Sequence, residues 1–171
     1  MEKRGQEAIG MSFSTIFSII LMVVFITVAI FVIYKFIEYK RCTEIGLFIE
    51  DLGEEIETAW KSEKHVNTLE RSLPGNLDYV CITNLSDNFK GTPGSIEETI
   101  YDEIDYYYEF EVSNLFFYPF ENSCGLQHEL ENIDLGKITS AENPYCIPVD
   151  GKVEIEVSIN RRNGETLVNL K

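Results

Sequence analysis

The chain has 171 residues, a formal net charge of −15, 44% hydrophobic residues, 12% aromatics and four cysteines. That length fits one domain with an appendage, and the aromatic content argues against disorder. The acidity excludes a general nucleic-acid binder, because a phosphate backbone demands a basic footprint.

Residues 1–7, Met-Glu-Lys-Arg-Gly-Gln-Glu, form a short polar head. Residues 8–34 follow as 27 residues without one charge. As a helix this run would be about 40 Å long, against a hydrocarbon core of about 30 Å. It is apolar on every side, unlike an amphipathic helix of a soluble domain. A cleaved secretory signal would be shorter and end in small residues, whereas this run leads into Lys35-Phe36-Ile37-Glu38. The expectation is a transmembrane helix in contact with membrane lipid. Gly10, Ser14 and Ser18 stand four residues apart on one face, the small-residue spacing that lets helices approach closely in lipid. That face predicts self-association; the alternative is that the serines bond back to their own carbonyls.

From Lys35 to Ser72 the pattern turns amphipathic, with Ile37, Ile45, Phe48, Ile49, Leu52, Ile56, Ala59 and Trp60 at helical spacing. No proline interrupts it, so residues 35–72 read as a helical rod that Leu73-Pro74-Gly75 ends. Residues 73–171 then read as a β-rich domain. Strands are expected at Leu77–Ile82, Tyr106–Val112 and Leu115–Tyr118. Ser95-Ile96-Glu97-Glu98 has capping-box form, with Ile96, Ile100 and Ile104 behind it, so a short helix is expected at 95–105. Val153, Ile155, Val157 and Ile159 alternate with polar residues ahead of Asn163-Gly164, a two-residue turn signal. That turn would set Arg162 opposite Glu165, Ile159 opposite Val168 and Val157 opposite Leu170. The fold class is therefore α+β: a long N-terminal helix, then a mainly antiparallel β domain with one short helix.

Lysines and arginines flank the apolar run on both sides (Lys3 and Arg4; Lys35, Lys40 and Arg41), so charge does not orient it. The cysteines do. Cys42, Cys81, Cys124 and Cys146 all follow the apolar run, and no Cys-x-x-Cys pair suggests a zinc site. An even count in a membrane-tethered domain reads as two disulfides in an oxidising compartment, which places the C-terminal domain outside the cell membrane. Four cysteines allow three connectivities; the preferred one joins Cys81 to Cys146 and Cys42 to Cys124. The first bond would link two strands, and the second would clamp the β domain to the rod.

Lys3-Arg4-Gly5-Gln6, followed by Glu7-Ala8-Ile9-Gly10 and a long apolar helix, resembles the class III signal of archaeal type IV pilins and archaellins. The resemblance covers about the first 35 residues, together with the plan of a long helix ahead of a β domain. It implies cleavage by a prepilin-type peptidase between Gly5 and Gln6, an apolar helix that packs at the centre of a filament, and an outer β domain. Counting from Gln6, the fifth residue is Gly10, where many pilins carry a glutamate; archaellins often lack it. The remainder, including Val80-Cys81-Ile82 and Asn143-Pro144-Tyr145-Cys146, resembles single-span proteins of small-genome archaea and implies no activity.

Between Gly91 and Gly136 there are eleven carboxylates and no lysine or arginine. This reads as a solvated acidic face; calcium is the alternative, although the EF-hand pattern is absent. Tyrosines and phenylalanines from Tyr106 to Phe120 alternate among these acids, and half are expected in the core. Asn84-Leu85-Ser86 is a glycosylation sequon. His65 on the rod and His128 have no spaced companions, and no catalytic, phosphate-binding or dinucleotide motif occurs. Neither a catalytic residue, a metal site nor a cofactor is expected, and the chain is not expected to be an enzyme. Two functions fit: a pilin-like structural or assembly subunit, or an unprocessed membrane-anchored domain that binds an unknown ligand.

Overall fold

The computed structural model describes residues 13–108 and 112–171. A proline-free run from Phe13 forms the long helix α1, Phe13–Lys61. Contacts divide the chain into two units at Lys40/Arg41. In the first unit every described side chain from Thr15 to Lys40 is exposed.

The second unit, Arg41–Lys171, begins with the remaining turns of α1. Ile45, Phe48, Leu52, Ile56 and Ala59 are buried there, at the three- and four-residue intervals that make one helical face. The helix ends at Lys61, not at Ser72. Residues Lys64–Ser72 instead form strand β1. The apolar spacing stops at Trp60, and the segment beyond it carries Val66, Asn67 and Thr68, residues of modest helix propensity. Nine consecutive pairs with a later strand then decide in favour of extended backbone. Arg161 closes the helix end, donating from Nε to the Ser62 carbonyl (3.2 Å) and from Nη2 to that of Trp60. A cation is favourable at this pole of the helix dipole.

Two three-stranded antiparallel sheets follow. The first has the order β1-β5-β6, with β5 at Lys152–Asn160 and β6 at Asn169–Leu170. Val153, Ile155, Val157 and Ile159 are all buried, as their alternation requires. Val157 pairs with Leu170 in the expected register. The connection differs from a two-residue turn. Arg161–Asn163 forms a 3-10 turn, and Gly164 takes φ +86°, a conformation that suits glycine. Val168 bridges Ile133 instead of closing the hairpin ladder. Arg162 lies 3.5 Å from Glu63 while Glu165 pairs with Lys137 at 2.8 Å. The expected Arg162–Glu165 ion pair is thus replaced by two longer-range contacts.

The second sheet has the order β3-β2-β4, from β2 (Tyr79–Ile82), β3 (Leu115–Tyr118) and β4 (Tyr145–Pro148). Successive residues of a strand face opposite ways, and both faces are covered here. Val80, Ile82, Leu115 and Phe117 join the core built on α1, with the Phe48 and Phe117 rings edge to face at 5.8 Å. Cys81 and Phe116 point to the other side, onto Ile100 and Ile104 of helix α2, Ile96–Tyr108. Ser95 Oγ accepts from the Glu98 N–H (3.4 Å), and the Glu98 carboxylate accepts from the Gly94 N–H (2.5 Å). The expected capping box is therefore shifted by one residue on its second bond. Tyr106–Tyr108 belongs to this helix and not to a strand, because the Ile96/Ile100/Ile104 periodicity outweighs aromatic β propensity. Residues 109–111 of the expected strand lie outside the described residues. A four-residue helix α3, Leu135–Ile138, is capped by the Asp134 carboxylate.

One polar residue organises the loop between β2 and α2. Asn143 is fully buried. Its Nδ2 donates to the carbonyls of Asn84 (3.0 Å), Asn88 (3.1 Å) and Asp87 (3.3 Å), and its Oδ1 accepts from the Asn84 N–H (2.9 Å).

Candidate functional site

The apolar part of α1 is the first functional element. It is long and apolar enough to cross a membrane, and its described side chains are exposed all round. Phe17, Phe25, Phe31 and Phe36 are each more than half exposed. A helix satisfies every interior backbone donor and acceptor within itself, which is what a hydrocarbon environment demands. Thr27 shows how its hydroxyls are handled, donating back to the Val23 carbonyl at 2.9 Å. Tyr34 and Tyr39 are exposed beside the Lys35–Glu38 ion pair (2.7 Å), an aromatic and charged boundary of the kind found at a bilayer surface. Ser18 is in α1 and exposed, and Ser14 lies in α1. Gly5, Gln6 and Gly10 lie outside the described residues.

The disulfides are the second element. Cys42 bonds Cys124 across 82 residues, with Cα atoms 5.7 Å apart. Cys81 bonds Cys146 across 65 residues, with Cα atoms 4.1 Å apart. The latter two stand directly opposite each other on β2 and β4, so strand pairing alone brings the sulfurs together. Cys42 lies at the start of the second unit, on α1, whereas Cys124 follows a 3-10 turn at Phe120–Asn122 with φ +59°. This bond ties α1 to the loop after β3. No thiol remains free.

A polar clasp ties α1 to β1 as well. Glu55 on α1 accepts from Asn67 Nδ2 (2.9 Å) and contacts His65 Nε2 (2.6 Å), while Asp51 accepts from Arg71 Nε (2.6 Å). Sequence spacing gives His65, expected on the rod, no companion; β1 brings it to Glu55. The bond from Asn67 holds the Glu55 carboxyl below its ordinary value of 4.5, aided by His65 and Arg71 and opposed by partial burial. The Glu55 and His65 side chains are 19% and 20% exposed. The dyad therefore joins helix to sheet with its charge largely shielded.

Among the described residues, no group of three or more His, Cys, Asp or Glu side chains could hold a metal ion. Asp102, Asp105, Glu121, Glu129 and Glu131 are exposed, as a solvated face requires. Of the aromatics there, Phe116 and Phe117 are buried while Tyr106 is 80% exposed. An open furrow of about 700 Å³ is lined by Trp60, Glu57, His128, Glu129 and Glu131 among others. His128 serves the fold through its backbone, which exchanges hydrogen bonds with Leu115 (2.9 and 3.1 Å). In the sequon, Asn84 Oδ1 accepts from the Ser86 N–H at 3.1 Å.

Comparison of the chain with protein-family models, curated proteins and solved structures gives no match in any of the three.

Two measurements test the clamp and the clasp. Replacing Cys42 and Cys124 together by serine removes a loop closure over 82 residues, which the chain-entropy model values at about 4.5 kcal/mol. Denaturant unfolding of the full chain in detergent should show a loss of that order. Glu55→Gln should destabilise the domain at neutral pH. Because the folded carboxyl titrates below its ordinary 4.5, its contribution is complete above that value and disappears as pH falls through the folded value. The difference between wild type and Glu55→Gln should therefore shrink on going from pH 7 to about pH 3.

Proposed function

We propose that this protein is a pilin-like structural or assembly subunit of a cell-surface filament or membrane complex. One observation carries the reading: an uncharged, all-round exposed helix precedes a domain closed by two disulfides. The helix is suited to lipid before assembly and to neighbouring helices afterwards, since both environments are apolar and dry. The disulfides are suited to an oxidising exterior, so the C-terminal domain is extracytoplasmic. In this reading a prepilin-type peptidase cleaves between Gly5 and Gln6, and Gly10, Ser14 and Ser18 form the helix-packing face. The chain performs no catalysis and requires no cofactor.

A second reading has an observation of its own. Gly10 stands where many pilins carry the glutamate that neutralises a neighbour's α-amine, and a lone buried ammonium is costly. Under that reading the chain is an unprocessed, membrane-anchored extracytoplasmic domain whose ligand is unknown.

The intact mass of the protein from its own host membranes separates the two. A chain beginning at Gln6 is the expected result, and one retaining Lys3-Arg4-Gly5 overturns the filament reading. Leucine at both Gly10 and Ser14 should abolish assembly without altering the second unit. Normal assembly by that variant would remove the helix-packing face from the proposal.

A further inference from the structure

A sheet edge that is long, regular and uncovered invites another strand, and most folds blunt theirs. Among the described residues, three of the four sheet edges are closed or short. β6 has two residues, and Val168 just before it is bridged to Ile133. β3 is flanked by His128, which exchanges backbone hydrogen bonds with Leu115. β4 has four residues and ends in Pro148. The fourth edge is β1, nine residues with neither proline nor a bulge in its register.

The ladder itself shows which groups lie on that edge. At its two ends the Arg161 N–H donates to the Glu63 carbonyl (3.0 Å) and the Leu73 N–H to that of Gly151 (3.2 Å). Hydrogen-bonded and non-hydrogen-bonded pairs alternate along an antiparallel ladder. The odd-numbered residues of β1 therefore face β5 with their backbone groups. Those of Lys64, Val66, Thr68, Glu70 and Ser72 point away from it. All five residues are exposed, Val66 by 64%. Among these outward groups, the Glu70 carbonyl takes a bond from Arg71 Nη1 at 3.1 Å.

We propose that β1 pairs antiparallel with β1 of a second copy of this chain, about a two-fold axis at Thr68. The sequence is self-complementary in that register. Thr68 meets its twin, Val66 lies opposite Glu70, and Lys64 lies opposite Ser72. Lys64 is then diagonal to Glu70 of the second copy, a neighbouring cross-strand position, and symmetry repeats this attraction. The contact uses the same surface on both partners, so it closes at two copies. It joins two three-stranded sheets into one of six strands, and it does not rest on the filament reading.

Site-specific cross-linking of the full chain in detergent tests this. A hydrogen-bonded antiparallel pair sets Cα atoms about 5.5 Å apart, within reach of a disulfide. Thr68→Cys should therefore give a covalent dimer under mild oxidation. Val66→Cys should not, because its own twin would stand four residues along the strand, about 13 Å away. Lys64→Glu in the Thr68→Cys background should lower the dimer yield by setting like charges diagonal to each other. Val66→Pro in that background removes an outward N–H, so it should abolish the dimer while thermal unfolding of the domain persists. No dimer from Thr68→Cys, equal linkage from both cysteines, or a yield unchanged by Lys64→Glu would overturn the proposal.

Discussion

The domain rests on the burial of one helical stripe. Ile45, Phe48, Leu52, Ile56 and Ala59 have no exposed surface to speak of, and both sheets contribute side chains to the core they anchor. Each of the four larger side chains removed from water contributes roughly 1.5–3 kcal/mol, depending on size. The stripe also gives the sheets a common partner, since they share no strand. The Cys42–Cys124 bond and the Glu55–His65 and Asp51–Arg71 contacts then act on geometry that packing has already set.

The same helix meets two opposite demands. Up to Lys40 its apolar side chains are exposed all round, whereas beyond Arg41 the apolar residues gather mainly on one face, which is covered, Leu47 being the exposed exception. The change of pattern, from uniform to periodic, falls where exposure on all sides gives way to a single buried face. A filament interior or a bilayer would satisfy the first stretch, and the domain core satisfies the second.

Much of this was legible because the signals were local and redundant. The uncharged run, the alternation Val153–Ile159 and the Ser95–Glu98 motif each specified an element, and the α+β class followed. The cysteine pairing preferred from sequence is also the one found: strand positions suggested Cys81 with Cys146, leaving Cys42 for Cys124. What failed depended on distant partners. The absence of proline between Lys61 and Ser72 allowed a helix, but pairing with β5, some ninety residues later, made it a strand. Asn163-Gly164 predicted a tight turn, yet Lys137 and Ile133 drew Glu165 and Val168 away from the hairpin. Nothing in the sequence marked Asn143 as the anchor of a loop, because an asparagine before proline reads as an ordinary turn until the loop it binds is in place.

The order of the disulfides along the chain has a consequence for biogenesis. Positions 42, 81, 124 and 146 are joined first to third and second to fourth, so the two loops interlock instead of nesting. A chain emerging N-terminus first presents Cys42 and Cys81 to an oxidant before either correct partner exists. A bond made at that moment joins the wrong pair. Native connectivity then requires that oxidation wait for the β domain, or that thiolate attack on the first-formed bond reshuffle it. The cell that makes this protein must therefore supply exchange chemistry, or restraint, at the place where the domain folds.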